Sequence, residues 1–259
     1  MKFFNKYYIL IALFGTLLSA CERDNYDGPD ATIQGALYDM DGNPLQVNHG
    51  SSYIRMREVS WGAGKEDAYI GNQTLHVQQD GTYRNTKWFS GEYRMLPYAG
   101  NFYPYDDEKK DGDDAGELVK ISGTTTKDFK VVPYLTLEWV KKPTVTADGY
   151  LECSIRFKRN QKPGYEMPDL RESYLRVSRS VNASAFDGQL FQNKKTITND
   201  MEGTEITYRT DIPLKYTGID YWVRVSMNCQ TVKGKPETNY PGIGAENFTT
   251  IEKIHVDKR

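Results

Sequence analysis

The sequence predicts an all-β chain folded as two successive β-sandwich domains, and three observations predict it. From Thr32 onward apolar and polar residues alternate in short runs, and Gly, Pro, Asn and Asp break those runs at close intervals. No stretch carries a convincing helical period. The length that follows a removable leader, 239 of 259 residues, suits two domains of ordinary size.

The leader comes first. Lys2 and Lys6 precede an apolar run from Tyr8 to Leu18, and small residues then lead to Cys21. This is the architecture of an export signal over residues 1–20. The run is shorter than the roughly 20 residues a membrane span needs, and Glu22-Arg23-Asp24-Asn25 follows at once. Leu18-Ser19-Ala20-Cys21 resembles the bacterial lipobox, which implies lipid on the Cys21 thiol, cleavage before it, and a chain anchored to a membrane. More than one acyl chain holds such a protein stably. Residues 21–30 are polar, end near Gly28-Pro29, and read as a tether. Without Lys2 and Lys6 the chain has 31 basic and 35 acidic residues, and with no dominant basic patch a nucleic-acid partner is not expected.

Within residues 31–132, strands are expected near Thr32–Tyr38, Tyr53–Val59, Thr74–Gln78, Gly81–Trp88 and Gly91–Pro97, with one last strand between Leu118 and Val132. Asp41-Gly42-Asn43-Pro44 and Gln79-Asp80-Gly81 supply turn residues that tolerate positive φ. Within residues 133–259, runs lie at Tyr134–Val140, Tyr150–Lys158, Ser173–Ser180, Glu205–Pro213, Tyr221–Met227 and Ala245–Val256. Six or seven short strands at this spacing read as an immunoglobulin-like sandwich, with the boundary near Val132-Pro133.

Thr32-Ile33-Gln34-Gly35-Ala36-Leu37-Tyr38 through Leu45, with Asp80-Gly81-Thr82-Tyr83 and Gly91-Glu92-Tyr93-Arg94, resembles the carboxypeptidase-regulatory, transthyretin-like sandwich. Such a sandwich hosts many roles, so the resemblance implies a fold and little function. A closer similarity runs through Asn85 to Arg94, Gly100-Asn101-Phe102-Tyr103-Pro104 and Val131-Val132-Pro133-Tyr134-Leu135, to an uncharacterised domain-of-unknown-function family of Bacteroides-type lipoproteins. Its members are commonly encoded beside starch-utilisation-type glycan uptake systems. The resemblance therefore implies an accessory glycan-handling role and carries over no catalytic residue.

No G-x-S-x-G elbow, H-E-x-x-H, P-loop or dinucleotide fingerprint occurs, although two glycosidase carboxylates can lie far apart in sequence. His49, His76 and His255 lack zinc-ligand spacing, so no metal and no cofactor is expected. Asp106 to Glu117 is strongly acidic, but matched from Asp111 to a calcium loop it offers Ala115 for a ligand and Ser122 for the bidentate Glu. It reads as a solvated loop, with a looser cation site left open. Cys153 and Cys229 fall on the inward phase of strands whose expected order sets them about five residues apart at ~3.3 Å each, beyond the ~7 Å reach of a bridge. Free, buried thiols are expected.

Two sets of residues are candidate ligand contacts. Tyr174 and Arg176 on one run and Trp222 and Arg224 on another share the outward phase, where aromatic and guanidinium groups form a platform suited to a sugar. The competing account is a structural ladder or contact with the first domain. Tyr98 to Tyr105 is unusually aromatic for a connector, so Phe102, Tyr103 and Tyr105 are a second candidate, again weighed against domain packing. The expected function is that of a non-enzymatic, outer-membrane-associated lipoprotein, on the surface or the periplasmic face. It would serve a polysaccharide uptake system by binding glycan or an uptake protein. The alternatives are a fimbrial or adhesin-type subunit and, third, a cryptic glycoside hydrolase.

Overall fold

The computed structural model describes residues 28–61, 71–106, 112–184, 193–231 and 243–258. The leader, Cys21 and most of the tether lie outside the described residues, as do residues 107–111 of the acidic stretch. Among the described residues no helix is long and apolar enough to cross a membrane.

The fold is nearly all β. In the first half, β1 (Ala31–Tyr38) pairs antiparallel with β4 (Thr82–Trp88) and parallel with two short strands, β7 (Thr124–Thr126) and β8 (Phe129–Lys130). The second sheet has the order β3 (Asn72–His76), β2 (Tyr53–Glu58), β5 (Gly91–Ala99), β6 (Glu117–Ile121), all antiparallel. Alternation decides what they bury. Ile33 and Leu37 from one sheet share a core with Ile54, Met56, Tyr93 and Met95 from the other. Gly35 lets β1 approach the chain at Lys127, where a Cβ would lie 1.8 Å from the Lys127 carbonyl oxygen. The single strand expected from Leu118 to Val132 is three strands. Gly123, at φ +55°, turns the chain after β6, and β7 and β8 cross to the opposite sheet.

In the second half, β9 (Leu135–Val145), β10 (Leu151–Arg159) and β13 (Ile206–Arg209) make one sheet in the order β13-β10-β9. The other has the order β12 (Asn193–Thr196), β11 (Asp169–Ser178), β14 (Ile219–Gln230), β15 (Asn247–Phe248), and β16 (Glu252–Val256) also pairs with β14. Ile155 and Phe157 meet Val177, Val223 and Val225 in the second core. The stretch between Ser184 and Gly203, outside the expected runs, contains β12, and the run from Ala245 to Val256 is broken into β15 and β16. Cys153 and Cys229 are free and buried, near the start of β10 and near the end of β14. Burial pushes both thiols up to about 12.

Candidate functional site at the domain seam

The predicted platform residues lie where their phase puts them, but the face is not open to solvent. In the β11–β14 register Tyr174 is opposite Ser226, Arg176 opposite Arg224 and Ser178 opposite Trp222, so the four occupy successive rungs of one face. Chain from both halves covers that face. Arg224 is fully buried: its Nε donates to the Ala183 carbonyl (2.8 Å), Nη1 to Val47 of the first half (2.9 Å) and Nη2 to Asn182 (2.8 Å). Its guanidinium lies 3.6 Å from the centre of the Phe248 ring. Arg176, also buried, pairs with Glu246, donates to Ser226 Oγ (3.1 Å) and stacks 4.1 Å from the Tyr174 ring centre. Two like charges directly opposite on neighbouring strands repel; here each is absorbed by separate partners. The expectation of an exposed platform is therefore corrected for Arg176 and Arg224, because Glu246, the 182–183 segment and Phe248 of the same half, together with Val47 of the first, cover the outer face of this sheet. Trp222 and Tyr174 remain half-buried, Trp222 with the Lys253 ammonium 5.5 Å from its ring. Burial, and then the hydrogen bond to Glu172, push the Tyr174 phenol up.

The aromatic loop is corrected in the same sense. Phe102 is buried in the first core and Tyr103 in the second, so two successive residues belong to different domains. Tyr103 donates to the Asn160 carbonyl (2.9 Å), and its ring packs 4.7 Å from Tyr134. Tyr105 packs edge-on against Phe129 at 5.5 Å and donates to Glu117. Phe102 and Tyr103 present no open aromatic face, and Tyr105 is half-buried. Beside them Asn101 ties the halves together: its Nδ2 donates to Gln46 O (2.9 Å) and Glu246 O (3.0 Å), and its carbonyl accepts from Asn247 Nδ2 (2.9 Å).

The acidic stretch faces basic groups where it is described. Asp113 pairs with Arg57, and Asp114 lies 3.9 Å from Arg94 Nε. Glu117 lies 2.5 Å from Lys127 Nζ. Burial pushes the Glu117 carboxyl up, and hydrogen bonds from Lys127 and Tyr105 outweigh it and hold the group below the usual glutamate value. Among the described residues no three His, Cys, Asp or Glu side chains cluster as a metal would require. His255 contacts Asp220 at 2.7 Å on the surface.

What the packing leaves between the halves is a cleft of about 420 Å³. Leu135, Leu137 and Phe248 supply apolar lining, Trp139 adds a half-buried indole, and Asn43 and Glu138 are exposed residues of its lining. The Trp139 indole is fixed by a hydrogen bond from Nε1 to the Thr250 carbonyl (3.0 Å). Asn101 also lines the cleft, and its buried Oδ1 has no hydrogen-bond donor among the described residues. Asp39 spends its carboxylate on its own turn: Oδ1 accepts from the Asp41 and Asn43 amides, and Oδ2 from Asn43 Nδ2. Domain interfaces are favoured places for ligand pockets, and an apolar floor with a few fixed polar groups is their usual make-up. Alternation alone assigns Trp139 to the core with Leu135 and Leu137. Only the three-dimensional arrangement shows that it meets the cleft.

This geometry has relatives. A Bacteroides uniformis DUF3823 family protein superposes with a TM-score of 0.71 at 23% identity, covering 88% of this chain and 100% of its own. A second Bacteroides uniformis structure, described as a "putative carbohydrate binding protein", does so with a TM-score of 0.64 at 23% identity and the same coverage of both chains. A DUF3823 family protein from Parabacteroides merdae follows with a TM-score of 0.60 at 16% identity, covering 88% of this chain and 100% of its own. These likenesses show the fold. No curated protein matches the chain. Residues 31–132 match the family described as "Protein of unknown function (DUF3823) N-terminal domain".

Proposed function

We propose that the chain is a non-enzymatic glycan-binding lipoprotein, anchored through Cys21 to the outer membrane, that serves a polysaccharide uptake system. The observation that carries this reading is the inter-domain cleft, where the fixed indole of Trp139 stands beside an apolar floor and the exposed polar side chains of Asn43 and Glu138. A pyranose matches that combination, since its C–H face packs on an aromatic ring while its hydroxyls hydrogen-bond polar side chains. The engagement of Asp39 with its own turn favours holding over hydrolysis, because a glycosidase needs two carboxyl groups free to act on the bond. The Bacteroides uniformis neighbour described as carbohydrate binding agrees with the reading.

Affinity electrophoresis through gels containing starch, mannan, xylan or pectin tests it. Wild-type protein should be retarded by at least one polysaccharide, and Trp139→Ala should reduce the retention at least tenfold with little change in melting temperature. Migration of the wild type unaltered by every polysaccharide in the panel would sink the glycan reading and favour a protein partner.

A further inference from the structure

The residue that joins the tether to the fold lies beside two exposed aromatic rings. Asp30, the last residue before β1, clasps the turn between β4 and β5: its Oδ1 accepts from the Ser90 amide and its Oδ2 from Ser90 Oγ, both at 2.8 Å. The carbonyl of that same Ser90 accepts from Trp61 Nε1 (3.2 Å), and Phe89 precedes it in the turn. Trp61 is 49% exposed and Phe89 39%, with their rings edge-on at 5.6 Å. Neither is loosely held. Glu58, buried at the end of β2, accepts from the Ser60 amide and hydroxyl and from the Trp61 amide (2.9 Å). The indole packs so close over Gly91 that a Cβ there would lie 3.2 Å from its Nε1. Apolar side chains scattered singly over a surface need no explanation, but a fixed aromatic pair does.

Where the chain leads decides what the pair meets. Asp30 is nine residues from Cys21, and at about 3.3–3.6 Å per residue this end of the first domain stands no more than roughly 30 Å from a lipid on that cysteine. The domain seam is at the opposite end. β5 runs from Gly91, beside the turn, to Ala99, two residues before Asn101, and its nine residues at ~3.3 Å per step set the two ends ~26 Å apart. The aromatic pair is therefore on the side of the tether and the seam is on the far side. Trp suits a membrane surface, because its indole joins an apolar body to one N–H, the make-up enriched where hydrocarbon meets water. The exposed charges described beside the pair, Asp30, Glu92, Lys87 and Lys120, are two of each sign and so favour a zwitterionic headgroup region over a strongly charged partner.

We propose that Trp61 and Phe89 insert into the headgroup region of the bilayer that holds the Cys21 lipid, fixing the first domain end-on with the domain seam turned away from the membrane. The inference rests on the anchorage through Cys21 proposed above and not on the glycan cleft. A lipid on a tether limits distance and leaves orientation free, whereas a second contact beside the tether's end limits both. Tethering also raises the effective concentration of bilayer at the pair, so a contact too weak to recruit the protein alone suffices.

Tryptophan fluorescence of the lipid-bearing chain, made from the full sequence and reconstituted into phosphatidylcholine vesicles with or without bromine near the headgroup end of the acyl chains, tests this. Flotation of the vesicles first reads anchorage. Bromolipid should quench wild-type emission, Trp61→Phe should at least halve the quenched fraction, and Phe89→Ser, which keeps every tryptophan, should lower it as well. Trp222→Phe, in the second domain, should leave it unchanged. The proposal is overturned if the floating wild type shows no quenching, or if both patch variants are quenched like the wild type. Quenching removed by Trp222→Phe would turn the second domain to the membrane and overturns it too. Absence of quenching, with polysaccharide retention lost in Phe89→Ser, would assign the pair to glycan instead. A wild-type chain that does not float and carries no lipid on Cys21 overturns the anchorage and this inference with it, whereas floating without quenching overturns this inference alone.

Discussion

Arg224 is a positive charge with no access to solvent, and it persists because the guanidinium is a planar fork. Its three donors reach three carbonyls on two separate segments, one of them in the other domain, while its face rests on Phe248. An ammonium is a compact point charge and cannot address the three oxygens in that plane. Arg224→Lys should therefore leave at least one buried carbonyl without a donor and lower unfolding stability by about 3 kcal/mol, since hydrogen bonds to charged groups contribute roughly 1.5–3 kcal/mol each. Urea titration with an unchanged m-value reads the loss directly. A midpoint within experimental scatter of the wild type would mean that the charge, and not the fork, is what the site requires.

Among the elements, β1 shows how a small residue sets a sheet's order. Gly35 faces the chain at Lys127 so closely that no side chain fits, and the obstruction is backbone, which cannot rotate away as a side chain could. Gly35→Ala should push β1 away from the β7–β8 segment and destabilise the first domain by at least the ~1–3 kcal/mol typical of overpacking, seen as a lowered melting temperature. A melting temperature equal to the wild type would mean that the close approach is not required. The same strand was plain in the sequence, because Ile33 stands between Thr32 and Gln34, Leu37 shares its phase, and turn residues bracket the run. The segment after Leu118 was not, since β7 and β8 are three and two residues long, too short to carry a period, and they change sheets at Gly123. Phase was likewise legible for Arg176 and Arg224, yet their burial was not. Period tells which side of a sheet a residue takes and is silent about what lies on that side. Asn101 and Glu246 sit on connections far apart in the chain, with no local pattern to mark them as neighbours.

At the scale of the whole molecule, the two cores are joined through the loop that carries Phe102 and Tyr103, through Asn101 and through Arg224. Breaking the seam would expose one aromatic side chain or the other and strand several buried polar groups, so the domains should lose structure together. Scanning calorimetry should give one transition with equal calorimetric and van't Hoff enthalpies, and Tyr103→Ala should lower it and divide it into two. Two transitions in the wild type would refute a seam of this strength. The placement of Phe102 and Tyr103 bears also on how such a chain can change over generations. Consecutive codons serve different hydrophobic interiors, so a recombination joint at Val132-Pro133 would carry one domain's anchor into the other's lineage. Shuffling these halves among relatives therefore succeeds only where the recipient already offers a socket shaped for Tyr103, and the pair is inherited as a unit.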